Sequence, residues 1–145
     1  MIEERARELS AALRSGEYEQ GTGLLGRLND DGTKAFCCLG VACELAVKAG
    51  KVLPPVLGPE RDDDDERHHR AYQYGDAGHT GLLPPEVQRY FGFHADDGGW
   101  YNNGMIKETL EVNGGRQVTA LAAANDGGVT FTRIAEFIDK HWQYL

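Results

Sequence analysis

The stretch "AFCCLGVACELA", residues Ala35 to Ala46, is apolar on nearly every face of a helix. The apolar pattern continues to Ala49, and a helix that is hydrophobic all round belongs in a protein interior. Gly50 follows the run, and glycine is the residue that most often ends a helix in the left-handed conformation. The sequence therefore predicts a central buried helix from Cys38 to Ala49.

Four further helices are predicted around this central one. Ile2, Ala6 and Leu9 recur at helical spacing, which predicts an amphipathic helix over residues 2–14. Proline at the start and glycine at the end predict a short helix between Pro85 and Gly92. The remaining two are a helix with Val118, Leu121 and Ala122 that ends at "NDGG", and a helix capped by Thr130 with a stripe of Phe131, Ile134, Ile138, His141, Trp142 and Leu145.

Two turn signals predict β-hairpins. Asp31-Gly32 and Asn113-Gly114 each lie between apolar positions, and such dipeptides supply the positive φ angles of tight hairpin turns. A helical reading of the second segment stays open. Residues 51–81, where two prolines prevent a helix, are expected to form a long irregular loop. The predicted fold is α+β, a mostly helical single domain over residues 1–145 with one or two small hairpins.

Composition and charge exclude several classes of protein. The chain has 145 residues and a formal net charge of −8, without the clusters of Lys and Arg that phosphate contacts need, so nucleic-acid binding is not expected. The run "RDDDDERHHR", Arg61 to Arg70, is expected to be a solvated loop. Its consecutive aspartates cannot converge on one ion, and no cofactor or metal is predicted. Three cysteines exclude a complete disulfide framework, and no signal peptide or run of membrane length is evident. We therefore expect a soluble, cytoplasmic protein.

The cysteines suggest one catalytic hypothesis. Cys37 and Cys38 lie at a helix start, where the helix dipole favours a thiolate. Their surroundings resemble in outline the "C-S-G-L-V" of NlpC/P60 cell-wall peptidases, and His79 and Asn125 follow in the order that papain-like enzymes use. Against this, Leu39 stands where that family has a small residue, and buried cysteines are common as small apolar side chains. The spacing of the cysteines does not fit a zinc site.

Other segments suggest a binding pocket. Glycines in "EYEQGTG" allow backbone amides to approach a ligand, which makes Tyr18, Gln20 and Gly21 candidate binding residues. The remaining candidates are the loop aromatics Trp100 and Tyr101, which can stack on a base or sugar, and the polar pair Asn125 and Asp126. Each also has a structural interpretation: the aromatics can fold onto the core, Asn125 can end a helix, and Asp126 can accept hydrogen bonds from backbone amides.

Several motifs taken together resemble a known group of proteins. These are "LRSGEYEQGTGLL", "FCCLGVACELA", "LPPEVQRYFGF" and "LAAANDGGVTFTRIAEFID". As a set they are similar to a family of small, largely uncharacterised proteins that bacteriophages and prophages encode, frequent in phages of actinobacteria. The resemblance implies a phage gene product that works in the host cytoplasm, and it assigns no activity to particular residues.

Three functional hypotheses follow. The first is a phage accessory protein, possibly a homo-oligomer, that acts without catalysis by sequestering a small molecule, such as a nucleotide-type signal of host defence. The second is a papain-like hydrolase that uses Cys37 or Cys38 with His79. The third is an inhibitor or adaptor that binds a host protein, with the acidic loop in contact with that partner. No membrane or nucleic-acid partner is expected.

Overall fold

The fold is α+β, as predicted, and it combines five helices with two antiparallel sheets in the part of the chain that the structure describes. The structure is a computed structural model that describes residues 1–62, 68–100, 106 and 108–145. The helices are α1 Glu3–Arg14, α2 Cys38–Lys48, α3 Pro85–Phe91, α4 Leu121–Asp126 and α5 Phe131–His141, followed by a 3-10 helix at Trp142–Tyr144. The strands are β1 Gly26–Asn29, β2 Lys34–Phe36, β3 Val56–Asp62, β4 His68–Gln73, β5 Leu110–Glu111 and β6 Gln117–Val118.

Both predicted hairpins are present. Strands β1 and β2 pair antiparallel around Asp31-Gly32, and the Asp31 carboxylate accepts a hydrogen bond from the Thr33 amide at 3.0 Å. Strands β5 and β6 pair in the same way around Asn113-Gly114, so the helical alternative for this segment is wrong. In both turns the glycine has the positive φ that a tight hairpin turn needs, so the turn sequence accounts for the local structure.

The expectation that residues 51–81 form an irregular loop is wrong. This segment supplies β3 and β4, which pair with each other, and β4 also pairs with β1, giving a four-stranded sheet in the order β2-β1-β4-β3. Pro59 is tolerated because β3 is an edge strand and its register shifts between Leu57 and Glu60. Most of the acidic run lies outside the described residues. Pairing with a distant strand, which local sequence does not reveal, produces this sheet.

Helix α2 forms the centre of the core, as its composition predicts. Its side chains from Cys38 to Cys43 are buried, and the helix contacts α1, α3 and α4. At Gly40 the helix approaches the chain just before β1 so closely that a Cβ atom would lie 1.6 Å from the Leu25 carbonyl oxygen. Glycine is therefore required at this position, and the helix is held tightly against the start of the sheet.

The boundaries of α1 and α3 agree closely with the predictions, but the prediction of Val118 in the fourth helix is wrong, because Val118 lies in β6 and α4 begins at Leu121. Helix α1 begins one residue later than predicted, and α3 ends at Gly92, which has a φ of 69°. Helix α5 begins with a side-chain cap, in which the Thr130 hydroxyl accepts a hydrogen bond from the Arg133 amide at 3.3 Å. Phe131, Ile134 and Ile138 of the predicted stripe are buried, and α5 lies against α1. The helix ends at His141, so Trp142 lies in the 3-10 helix that follows.

A charged cluster attaches the segment before β5 to α5. The Glu108 carboxylate accepts hydrogen bonds from Lys140, from His141 at 2.9 Å and from Arg133 at 3.1 Å. The Lys140 ammonium, with the neighbouring groups, lowers the pKa of Glu108 to about 2. The Glu108 backbone carbonyl also accepts a hydrogen bond from the Trp100 indole at 3.2 Å. This residue therefore connects a loop, an aromatic side chain and a helix.

The Glu108 cluster predicts a pH dependence of stability. An unfolded glutamate has a pKa of about 4.3, so the unfolded chain takes up this proton first as the pH falls. The contribution of Glu108 is therefore complete above about pH 5 and is lost as the pH falls toward 2. We expect Glu108→Gln to lower the free energy of unfolding by roughly 1 kcal/mol at pH 7 and by much less near pH 2.5. Urea denaturation across this pH range measures the difference.

Glu111→Gln is the matched control, since it removes an exposed carboxylate that accepts a hydrogen bond from Gln117 at 3.3 Å and lies outside the Glu108 cluster. A difference between wild type and Glu108→Gln that stayed constant from pH 7 to pH 2.5 would contradict the role given to ionisation.

Candidate functional site

Asn125 lies at the centre of a buried polar junction. Its side chain is fully buried in α4, and its Oδ1 atom accepts hydrogen bonds from the Cys38 amide and from Gln20 Nε2, both at 3.1 Å. Its Nδ2 atom donates to the Gly21 carbonyl oxygen at 2.8 Å. The predicted role as a helix end is wrong in detail, because Gly127 occupies that position. Asn125 instead joins three segments of the chain.

Gln20 extends this junction to α5. Its Nε2 atom also donates to the Val129 carbonyl oxygen at 2.8 Å, and its Oε1 atom accepts from the Phe131 amide at 3.0 Å. The side chain therefore satisfies one of the amides that are left unpaired at the start of a helix. We call Gln20, Gly21, Asn125 and the Cys38 amide the Asn125 junction.

The sequence candidates at this place are brought together, but their hydrogen-bonding groups contact one another. Asp126 accepts a hydrogen bond from the Gly23 amide at 2.9 Å, which is the backbone role that was considered for it. Both amide groups of Asn125 and Gln20 already have partners. A buried network that is satisfied in this way fixes the arrangement of its segments. The Asn125 junction therefore has a structural role, because it holds these segments of the chain in fixed positions.

The aromatic candidates lie apart from the junction. Trp100 is 3% exposed and packs on Phe137 with 4.5 Å between ring centroids, so its ring contacts the core. Tyr18 lies edge-on to Phe36, and its hydroxyl accepts a hydrogen bond from the Lys48 ammonium at 2.8 Å. Tyr101 lies outside the described residues. The structure therefore does not bring Trp100 and Tyr18 together with Asn125 in one pocket.

The three thiols are buried in the core. Burial raises the pKa of Cys37 to about 11 and the pKa of Cys38 well above its ordinary value. The Cys37 sulfur accepts a hydrogen bond from the Gly40 amide at 3.3 Å, and Cys38 contacts the Leu121 carbonyl oxygen. Among the described residues no hydrogen bond joins His79 to either thiol, and the backbone of His79 pairs with Tyr74. This environment favours neutral thiols over a nucleophilic thiolate.

A polar pocket lies next to the junction on the four-stranded sheet. Its volume is about 390 Å³. We call it the sheet pocket, and it is lined by Glu19, Gln20, Arg27, Asn29, Asp30, Asp31, Thr33, Ala35 and His68. Gln20 is common to the pocket and the junction, so the buried amide network holds one wall of the pocket in place.

Arg27 is the residue of this pocket that sequence reasoning missed. Its Nε atom is buried and has no hydrogen-bond partner, and the guanidinium forms no ion pair within the described part of the chain. Buried polar groups nearly always have partners, so the unpaired guanidinium nitrogen beside a cavity makes Arg27 a candidate binding residue. The available signal was the segment "GRLNDDGT". Arg27 and Asn29 are two positions apart on a short strand before a turn, so both lie on the same face.

The carboxylates of the sheet pocket limit what it can hold. Glu19, Asp30 and Asp31 oppose the single guanidinium of Arg27, so the lining has more negative than positive charge. Asp31 is already occupied by the Thr33 hydroxyl and amide, and the hydroxyl contributes most to lowering the pKa of this carboxyl. The pocket lining therefore combines one guanidinium donor with carboxylate acceptors.

Together the fold and the pocket define a small α+β domain with a polar cavity on its sheet. Over residues 1–142 the chain matches the model of a domain of unknown function, DUF8296, and it belongs to that family. No curated protein and no solved structure matches the chain. Across the described ranges, no helix is both long and apolar enough to pass through a membrane. The same residues contain no group of three or more His, Cys, Asp or Glu placed to hold a metal ion.

The Asn125 junction predicts a large loss of stability on truncation. Asn125→Ala leaves the Cys38 amide and the Gly21 carbonyl oxygen buried without partners, so we expect the free energy of unfolding to fall by roughly 3 kcal/mol. Urea denaturation measures this change. Gln143→Ala, at an exposed position, is the control and should change stability by less than about 0.5 kcal/mol. A loss below about 1 kcal/mol in Asn125→Ala would show that the junction is not a main support.

The burial of the cysteines predicts inert thiols. In the native protein at pH 8, we expect reaction with Ellman's reagent to be at least about a hundredfold slower than in the urea-unfolded chain, because raised pKa values leave little thiolate. Absorbance at the thionitrobenzoate band follows the reaction. One thiol that reacts as fast in the native protein as in the unfolded chain would restore the hydrolase hypothesis, and Cys37→Ser and Cys38→Ser would identify it.

Proposed function

We propose that this protein is a non-catalytic binding protein and that the sheet pocket holds a small polar ligand of the nucleoside or nucleotide type. The observation that carries this proposal is the buried, unpartnered Nε atom of Arg27 beside a cavity of about 390 Å³. A volume of this size is within the range of small-molecule sites. A ligand acceptor that binds the Arg27 guanidinium would give this side chain a partner.

The lining restricts the ligand further. The Arg27 guanidinium donates to a carbonyl oxygen, a ring nitrogen or a single phosphate group. Glu19 and Asp30 accept from amino or hydroxyl groups, as a base edge and a sugar present them. A polyphosphate chain would meet these carboxylates and be repelled. Nucleosides, and nucleotides with one phosphate or a cyclic phosphate, therefore fit this lining best.

The hydrolase alternative has less support from the described residues. It needs an activated thiolate near a histidine, whereas the thiols of Cys37 and Cys38 are buried and their pKa values are raised. Binding without chemistry requires only the pocket and a rigid support beneath it. The Asn125 junction supplies such a support through Gln20.

The biological setting in this proposal comes from the sequence motifs. Their resemblance to phage-encoded proteins supports a phage accessory protein in the host cytoplasm, where sequestration of a nucleotide-type signal would counteract a host defence. Sequestration requires a protein that retains its ligand unchanged. This property separates the proposal from any enzymatic role.

Ligand retention tests the proposal directly. The purified protein is incubated with nucleosides, nucleoside monophosphates, cyclic mono- and dinucleotides and nucleoside triphosphates, unbound material is removed, and the ligand released by heat is identified by mass spectrometry. We expect one non-polyphosphate member to be released unchanged in stoichiometric amount. Arg27→Gln should weaken its binding by about 10- to 100-fold, because a charge-assisted hydrogen bond is lost.

Arg116→Gln is the matched control, since Arg116 is exposed and lies outside the sheet pocket. Retention of no member of the panel, or equal weakening by both arginine substitutions, would contradict the proposal. Release of a chemically altered product would contradict its non-catalytic part.

A further inference from the structure

A second pocket lies at the far edge of the four-stranded sheet, among exposed apolar side chains. Leu53 is 78% exposed and Val56 is 66% exposed. Isolated exposed apolar residues are common on protein surfaces, but these two line the same cavity of about 290 Å³. We call it the edge pocket, and it is lined by Lys51, Val52, Leu53, Pro54, Val56, Gln73, Gly75, Asp76 and Glu86.

A carboxylate in this pocket lacks a partner. The Oε2 atom of Glu86 is buried and accepts no hydrogen bond from the residues that the structure describes. Lys51 also lines the pocket, but it forms no ion pair with Glu86 in the described residues. A buried carboxylate oxygen without a donor is costly, so a donor from outside the chain would be strongly favoured at this place.

Gly75 keeps the space above this carboxylate open. It has a φ of +67°, and a Cβ atom on it would lie 3.0 Å from Pro84 Cβ and 3.4 Å from Glu86 Oε2. Any larger residue would therefore be strained in its backbone and would crowd the carboxylate.

Strand β3 provides a backbone edge beside the pocket. In the order β2-β1-β4-β3 it pairs with β4 on one side, and within the described residues no other strand pairs with it. At the opposite edge of the sheet, residue 20 bridges to Phe36 of β2. An exposed edge strand can accept a further strand from another protein. Val56, the first residue of β3, is shared by this edge and the edge pocket.

We propose that the edge pocket and β3 form a docking surface for an extended segment of a partner protein that carries lysine or arginine between apolar residues. The basic side chain donates to Glu86 and lies near Asp76, and the neighbouring apolar side chains cover Leu53 and Val56. The unpartnered carboxylate and the net charge of −8 favour a basic partner. The edge pocket shares no residue with the sheet pocket, so this surface is independent of the proposed ligand site.

The experiment uses a defined peptide. A fluorescein-labelled peptide of alternating valine and lysine is titrated with the full chain at about 150 mM salt, where long-range attraction between exposed charges is largely screened. Fluorescence anisotropy reports binding, and a peptide of alternating valine and glutamate serves as the acidic counterpart. We expect saturable binding of the basic peptide and none of the acidic one.

Two substitutions locate the surface. Glu86→Gln should weaken binding of the basic peptide about tenfold or more, because the charged partner of the donor is lost. Leu53→Ser, at an exposed position that does not disturb the core, should weaken it severalfold. Glu111→Gln removes the same charge away from the edge pocket and should change binding less than twofold. Urea denaturation of each variant confirms that the fold is retained.

Two results would overturn the inference. One is the absence of saturable binding by the basic peptide. The other is equal weakening by Glu86→Gln and Glu111→Gln, which would mean that the peptide responds only to the overall negative charge. Neither result bears on ligand retention in the sheet pocket, so the two proposals succeed or fail separately.

Discussion

The hydrogen bonds of the Asn125 amide hold the central helix, the loop before β1 and Gln20 in one arrangement. The Asn125 side chain binds the first amide of the central helix, the backbone of the loop before β1 and the side chain of Gln20, which in turn contacts the start of α5. An amide group has both a donor end and an acceptor end, and here both ends are used. An apolar residue of similar size would leave several buried polar groups unpaired at once.

The stretch that surrounds the cysteines is explained by packing. Cysteine, alanine and glycine are small, and their succession allows α2 to approach the neighbouring chain to the limit that Gly40 sets against Leu25. The sulfur of Cys37 also contributes locally, because it accepts a hydrogen bond from the Gly40 amide at the helix start. The adjacent cysteines therefore have a structural role in a dense interior, and their burial accounts for it.

Local patterns predicted the helices and both hairpins, since helical spacing, caps and Asp-Gly or Asn-Gly turns are properties of short segments. Strands β3 and β4 were not predictable in this way, because β4 exists through its pairing with β1. The sequence predicted that Gln20, Gly21 and Asn125 lie in one site and bind a ligand. In the structure they do lie together, but they form hydrogen bonds with one another. Arg27 escaped notice because an arginine on a short strand has the pattern of any exposed residue. Only the positions of its neighbours reveal that its Nε atom has no partner.

The Asn125 junction also determines how such a chain must fold. Its hydrogen bonds join residues that are 87, 104 and 105 positions apart, and α4, which carries Asn125, has only six residues. A helix of that length does not persist alone in water, and contacts between distant positions are slow to form because a long loop must close first. We therefore expect closure of the junction to be a late event in folding. Until it occurs, the wall of the sheet pocket that Gln20 provides has no fixed position.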